Sequence, residues 1–220
     1  MNTDNAASKE SSTPQKTLFL LRHGETTQNA EGRFLGRTDA TLNESGVAQA
    51  QRGGATLRSL APDVVISSPA LRAVQTAELL QLGPPQVDGN FREIDFGDWE
   101  GRTQEEVAAT DPEYFAAFIS GDIEGFPGGE LVDEVAQRTV NAIHAHNASR
   151  ALVVTHATVI RILVVALLGL PVTRYRALFD RPGNLSMTEL AWNGREWALV
   201  EYAKSLVSDD DDELSAKSSE

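Results

Sequence analysis

Three short stretches of this chain set basic and imidazole side chains at the ends of apolar runs. Arg22-His23-Gly24 follows Leu18 to Leu21, Ser67-Ser68-Pro69 with Arg72 follows Val64 to Ile66, and Thr155-His156 follows Ala151 to Val154. Arginine forks match the oxygens of a phosphate in pairs, and a neutral imidazole is a useful nucleophile near pH 7. His23 is therefore a candidate to attack phosphorus, with Arg22, Arg72 and His156 placed to hold the oxygens on which charge spreads. A lone histidine after a strand is usually structural. The company of two arginines and a second histidine reverses that weighting.

Those side chains converge only if the elements carrying them do. Thr17–Leu21, Val64–Ile66 and Ala151–Thr155 are short β-branched or apolar runs that read as buried strands. Helical patterns separate them: one opening at Asn43-Glu-Ser-Gly46 and running to Leu60, though weakened by Gly53-Gly54; one from Ser67-Ser68-Pro69 through Leu80; one from Pro127-Gly-Gly-Glu130 to about Asn147; and one from Thr158 to Leu168. Residues 91–129 read as largely irregular, and 184–192 with 196–203 as a closing hairpin around Asn193-Gly194. Strands alternating with helices predict an α/β fold, a three-layer sandwich with a mainly parallel central sheet flanked by helices. Ligands in such sheets sit outside the strand C-termini, where all three basic stretches fall.

Composition narrows the class. Of 220 residues, 41% are hydrophobic and 23% charged, which suits one globular body at about 17–205. The absence of cysteine excludes a disulfide framework, a thiolate metal site and a cysteine nucleophile. A net charge of −13 argues against a nucleic-acid binder. Part of that charge lies in 208–220, where six acids face one lysine; 206–220 reads as an acidic, solvated tail, and 1–16 as a polar, unstructured one. The first residues lack a signal-peptide core, and the longest apolar run, Ile162–Leu168, is too short to span a bilayer, so no membrane association and a cytoplasmic location are the expectations.

Taken together, the motifs resemble the histidine phosphatase superfamily, also called the phosphoglycerate mutase-like family, from Leu18 to about Met187. The resemblance rests on Arg22-His23-Gly24-Glu25-Thr26 with Asn29 and Arg33; on Gly36, Asp39, Leu42 and Gly46; on SSPALRAVQTAE at 67–78; on FREIDFGDWEG at 91–101; on PGGE at 127–130; and on VTHATVIR at 154–161. It implies a phosphoglycerate mutase-like fold and His23 as the phosphorylated nucleophile, with Arg22, Arg72 and His156 as the phosphate pocket. Asn29 and Gly36 would join the substrate contacts. Glu93 would be the proton donor and later the base toward water, selected over Glu100, Asp95 and Asp98 by motif register. No metal or cofactor is implied, since arginines supply the charge. Leu35, Leu131 and Ala157 depart from residues common at their positions, which touches substrate contacts more than chemistry.

The family holds both hydrolases and mutases. Thr103–Gln137, which should contain a substrate-covering insertion at about 100–129, has nine acids and no Lys or Arg. A mutase needs cations for a second anionic group, so this window predicts a metal-independent phosphomonoester hydrolase. Its substrate would be a small phosphorylated metabolite with a neutral or apolar leaving group, packed on Tyr114, Phe115, Phe118 or Phe126. The hydrolase would be α-ribazole phosphatase-like or of broad specificity. The alternatives are phosphoglycerate mutase-type transfer and a non-catalytic module that binds phosphorylated ligands. The expected partner is a small phosphate monoester; the sequence carries no sign of oligomeric state. Arg161 reads equally as a structural ion pair, Glu130 as a helix-dipole residue, and His144 and His146 as surface residues.

Overall fold

The structure, a computed structural model, describes residues 16–206. Nearly all of both tails, read as unstructured, lies outside the described residues. Lys16 already belongs to the first strand.

Six strands form one sheet: β1 (Lys16–Arg22), β2 (Val64–Ser67), β3 (Gln86–Val87), β4 (Arg150–Thr155), β5 (Ser186–Trp192) and β6 (Trp197–Ser205). Their order is β3-β2-β4-β1-β5-β6. The first four are parallel, and β5 and β6 close the other edge antiparallel. Both faces of the parallel part are covered, which is why its strands are continuously apolar rather than alternating. Leu18, Leu20, Ile66 and Val153 pack with α6 (Val132–Ala145) and α7 (Ala157–Leu167). Phe19, Leu21, Val65 and Val154 pack with α2 (Glu44–Ser59) and α3 (Leu71–Leu79) on the opposite face. The strands end in step, Arg22 paired with Thr155 and Ser67 with Val154. One sheet edge therefore presents all three basic stretches.

Several elements differ from the sequence reading. Gly53-Gly54 leaves α2 unbroken; a Cβ on Gly54 would lie 2.6 Å from the Leu80 carbonyl oxygen, so the missing side chain lets α2 approach the end of α3. The helix expected from Ser67-Ser68-Pro69 starts instead at Leu71, with Ala70, which has no side-chain acceptor, at its N-cap, while the Ser68 hydroxyl meets His156. The Pro127–Glu130 stretch is a turn, and α6 begins only at Val132. Residues 91–129 hold two helices, α4 (Gln104–Thr110), capped reciprocally by Thr103 and Glu106, and α5 (Pro112–Ser120), ended by Gly121 at φ 80°. This region closes around a third core in which Trp99 meets Phe34, Phe118 and Phe126 at 5.1–5.4 Å between ring centroids. Among the described residues no helix is long and apolar enough to cross a membrane.

Candidate active site

The site is built on backbone register. The His23 N–H donates to the Thr155 carbonyl at 3.0 Å and the Ser68 N–H to the Val154 carbonyl at 2.9 Å, so the loops leaving β1, β2 and β4 start from one hydrogen-bonded edge. The His23 and His156 rings meet edge to face at 5.1 Å.

Both rings are buried, and each has one nitrogen committed. His23 Nδ1 lies 2.7 Å from the Gly24 carbonyl oxygen; a carbonyl only accepts, so Nδ1 carries the hydrogen and Nε2 keeps its lone pair. His156 Nε2 lies 2.8 Å from the Ser68 hydroxyl, whose oxygen also accepts the Ala70 N–H. With the Ser68 hydroxyl as donor to Nε2, the His156 proton sits on Nδ1; with Nε2 as donor, Nδ1 keeps its lone pair; in either case Nδ1 has no hydrogen-bond partner. Burial, then the charges of Arg72 and Arg22, hold the His23 imidazole well below its usual range. Burial and Arg72 do the same to His156. Both shifts favour the neutral imidazole, and the lone pair of His23 lies on Nε2.

The arginines are placed by carbonyls rather than carboxylates. Arg22 donates to the Pro182 carbonyl at 2.7 Å, and burial followed by the nearby Arg181 charge lowers it to about 9. Arg72, fully buried, donates to the carbonyls of Thr38, Leu35 and Gly36. Neither has an acid within ion-pair distance among the described residues, and each retains an unpartnered Nε. Positive charge without a counter-charge suits an anion.

Of the four competing carboxylates, Glu93 alone lines the cleft with Arg22, His23 and Asn29. Glu100 is bound by the N–H groups of Gly36 and Thr38, Asp95 by that of Gly97, and Asp98 is exposed. Glu93 is 5% exposed; it accepts the Ile94 N–H at 2.9 Å and the Thr158 N–H at 3.2 Å. Burial raises its carboxyl above the ordinary value in spite of those bonds. A carboxyl whose hold on its proton is strengthened by burial is suited to act as an acid.

Other expectations need correction. Gly36 lines not the cleft of His23 but an adjoining pocket that shares Glu93 with it: its N–H goes to Glu100, its carbonyl to Arg72, and a Cβ would stand 2.5 Å from the Ile94 carbonyl oxygen. Its contribution is to let two loops meet. Of the four aromatics expected to meet a leaving group, Phe118 alone lines the cleft, while Tyr114, Phe115 and Phe126 pack around Trp99. Glu130 is not a dipole residue but an ion-pair partner of Arg138 at 2.7 Å and Arg37 at 3.2 Å. Arg161 forms no ion pair among the described residues; its guanidinium lies 5.0 Å from the Tyr175 ring. His144 is exposed, and His146 is partly exposed 3.6 Å from Asp88.

Two features escaped the sequence reading. Asn184, in the loop before β5, donates to the His23 carbonyl at 3.0 Å and to Asn29 Oδ1 at 3.2 Å, which turns the Asn29 amide. The cleft also gathers Arg161, Arg176 and Arg181, from α7, from α8 (Tyr175–Leu178) and from the loop after it. The expected shortage of cations for a second anion holds within 103–137 and fails for the cleft, because its cations come from elsewhere in the chain. Three arginines in the eight residues 174–181 of an acidic protein were the available signal.

Known proteins share this arrangement of elements. A probable phosphoglycerate mutase GpmB of Salmonella paratyphi C is 31% identical over 200 residues, covering 87% of this chain and 92% of that protein. The mycobacterial glucosyl-3-phosphoglycerate phosphatase superimposes with a TM-score of 0.79 at 31% identity, over 86% of this chain and all of that one. A putative alpha-ribazole-5'-P phosphatase of Escherichia coli gives 0.73 at 27%, over 88% and 99%. The family profile of the Histidine phosphatase superfamily (branch 1) matches residues 18–205, the span that builds the sheet and its basic edge. On that match the chain belongs to the histidine phosphatase superfamily.

Proposed function

We propose that this chain is a phosphomonoester hydrolase acting through a phosphohistidine at His23. The observation that carries the reading is the fixed tautomer: Nδ1 is held by the Gly24 carbonyl, and the free Nε2 shares a cleft with a carboxyl of raised pKa. Nε2 attacks phosphorus as the bond to the leaving oxygen breaks, and Glu93 gives its proton to that oxygen. The Glu93 carboxylate then takes a proton from water; the water oxygen bonds to phosphorus, the phosphorus–nitrogen bond breaks, and His23 returns neutral. Arg22, Arg72 and His156 hold the equatorial oxygens, and Asn29 adds a polar contact.

The mutase reading is favoured by one observation, the three further arginines, and by the likeness to a probable phosphoglycerate mutase. One assay separates the two. Phosphate release from p-nitrophenyl phosphate and 3-phosphoglycerate is followed in EDTA, beside interconversion of the phosphoglycerates, for wild type and His23→Ala. Release that persists in EDTA and falls at least ~10³-fold in His23→Ala is expected. Interconversion outpacing release would make the chain a mutase, and release indifferent to His23→Ala would sink the phosphohistidine.

A further inference from the structure

The cleft carries more positive charge than one phosphoryl group requires. Arg22, Arg33, Arg161, Arg176 and Arg181 line it, against Glu93 as the one acid of its lining. Arg22 stands beside His23, and Arg33 is held by Glu31 at 2.7 Å and Glu106 at 3.4 Å. The other three have no carboxylate within 4 Å among the described residues.

Packing accounts for part of their placement. Arg161 is 5% exposed beside the Tyr175 ring, and Arg176 lies 3.6 Å above the Phe118 centroid. Ring contacts satisfy the flat faces of a guanidinium and leave its N–H edge unanswered. The Nε of each indeed lacks a partner. An unpaired guanidinium out of water is costly, and neighbours of like charge add to the cost. An anion between them relieves both.

Position says which part of a ligand that anion belongs to. Glu93 is tied to the Thr158 N–H, and Arg161 stands three residues further along α7. Arg161 therefore stands past the proton donor along α7, with the Arg176 charge bearing on it from α8, whereas Arg181 precedes Pro182, whose carbonyl holds Arg22, and its charge reaches His23.

We propose that Arg161 and Arg176 form a second anion subsite, which binds a carboxylate or phosphate carried by the leaving portion of the ester. The assignment of that portion rests on the hydrolase reading above; the subsite itself is testable without turnover.

The probes are two ester pairs that differ by one anionic group: glycerol 3-phosphate against 3-phosphoglycerate, and fructose 6-phosphate against fructose 1,6-bisphosphate. Calorimetric Kd values are taken on His23→Ala, which cannot turn over, and on that variant with Arg161→Met, Arg161→Lys or Arg176→Met added. The anion-bearing member of at least one pair is expected to bind tenfold tighter or more, and which pair responds separates carboxylate from phosphate. Arg161→Met and Arg176→Met should collapse that ratio toward one, and Arg161→Lys should restore part of it. Equal Kd values within both pairs, or a ratio unmoved by the half-buried Arg176→Met, would overturn the subsite. A preserved ratio without phosphate release from wild type would overturn the hydrolase reading and leave the subsite standing.

Discussion

Glu93 has two backbone N–H donors and almost no solvent, and the balance decides when it holds a proton. Burial raises its pKa, the Ile94 and Thr158 bonds and the Arg72 charge lower it, and burial prevails. His23 is pushed the other way, so both shifts favour the pairing of a protonated carboxyl with a neutral imidazole. The rate on an alkyl phosphate should fall as pH rises through the raised Glu93 pKa, above the usual carboxylate range. Glu93→Gln should lower kcat for that ester by roughly 10²–10⁴ and abolish this alkaline fall. An aryl phosphate, whose leaving oxygen needs less help, should lose less in the phosphorylation burst. An unchanged pH profile in Glu93→Gln would remove Glu93 from the acid role. Most of this chemistry was legible in sequence, since Arg22, His23, Glu93 and His156 stand in short motifs. Arg176 and Arg181 were not, because nothing local marks residues that meet only when α7, α8 and the loop after α8 pack together.

At the scale of elements, the loop carrying Glu93 is anchored from outside the sheet. Arg138, on α6, grips Glu130 with two nitrogens at 2.7 and 3.1 Å, donates to the Asn90 carbonyl, and reaches the Glu93 carbonyl at 3.5 Å. Glu130 in turn accepts the Asp95 N–H. One arginine thus fixes both ends of the stretch that presents the acid. Arg138→Ala should cost about 2 kcal/mol of stability, since it leaves a largely buried carboxylate with only the exposed Arg37 as its ion-pair partner. As a positioning residue it should also shift the alkaline limb of the pH profile, with kcat falling more than KM changes; a lower Tm with an intact profile would reduce Arg138 to a structural role. The sheet was readable because strands covered on both faces must be apolar throughout. Helices α4 and α5 were hidden by Asp111-Pro112, which ends one and begins the next, and their Thr103/Glu106 capping box was the overlooked sign.

For the whole molecule, function and stability compete at the same histidines. An unfolded histidine titrates near pH 6.5, whereas folded His23 and His156 resist protonation until well below it. Below pH 6.5 the unfolded chain binds protons that the folded one refuses, so folding stability is flat above that value and falls as pH drops, by at most ~1.4 kcal/mol per pH unit for each ring. Glu93 works in the opposite direction: its folded pKa is raised, so its contribution is full below the usual carboxylate value and is lost as pH rises through the folded one. Two rings outweigh one carboxyl between pH 6.5 and 5. Urea denaturation in phosphate-free buffer across that interval should give a falling stability for wild type and a slope shallower by up to one proton for His23→Asn, read as the difference so that the surface acids cancel. Saturating inorganic phosphate should add stability to wild type as RT ln(1 + [L]/Kd). Parallel pH slopes for the two proteins would mean that His23 is protonated as readily in the folded chain as in water, and the neutral nucleophile would go with it.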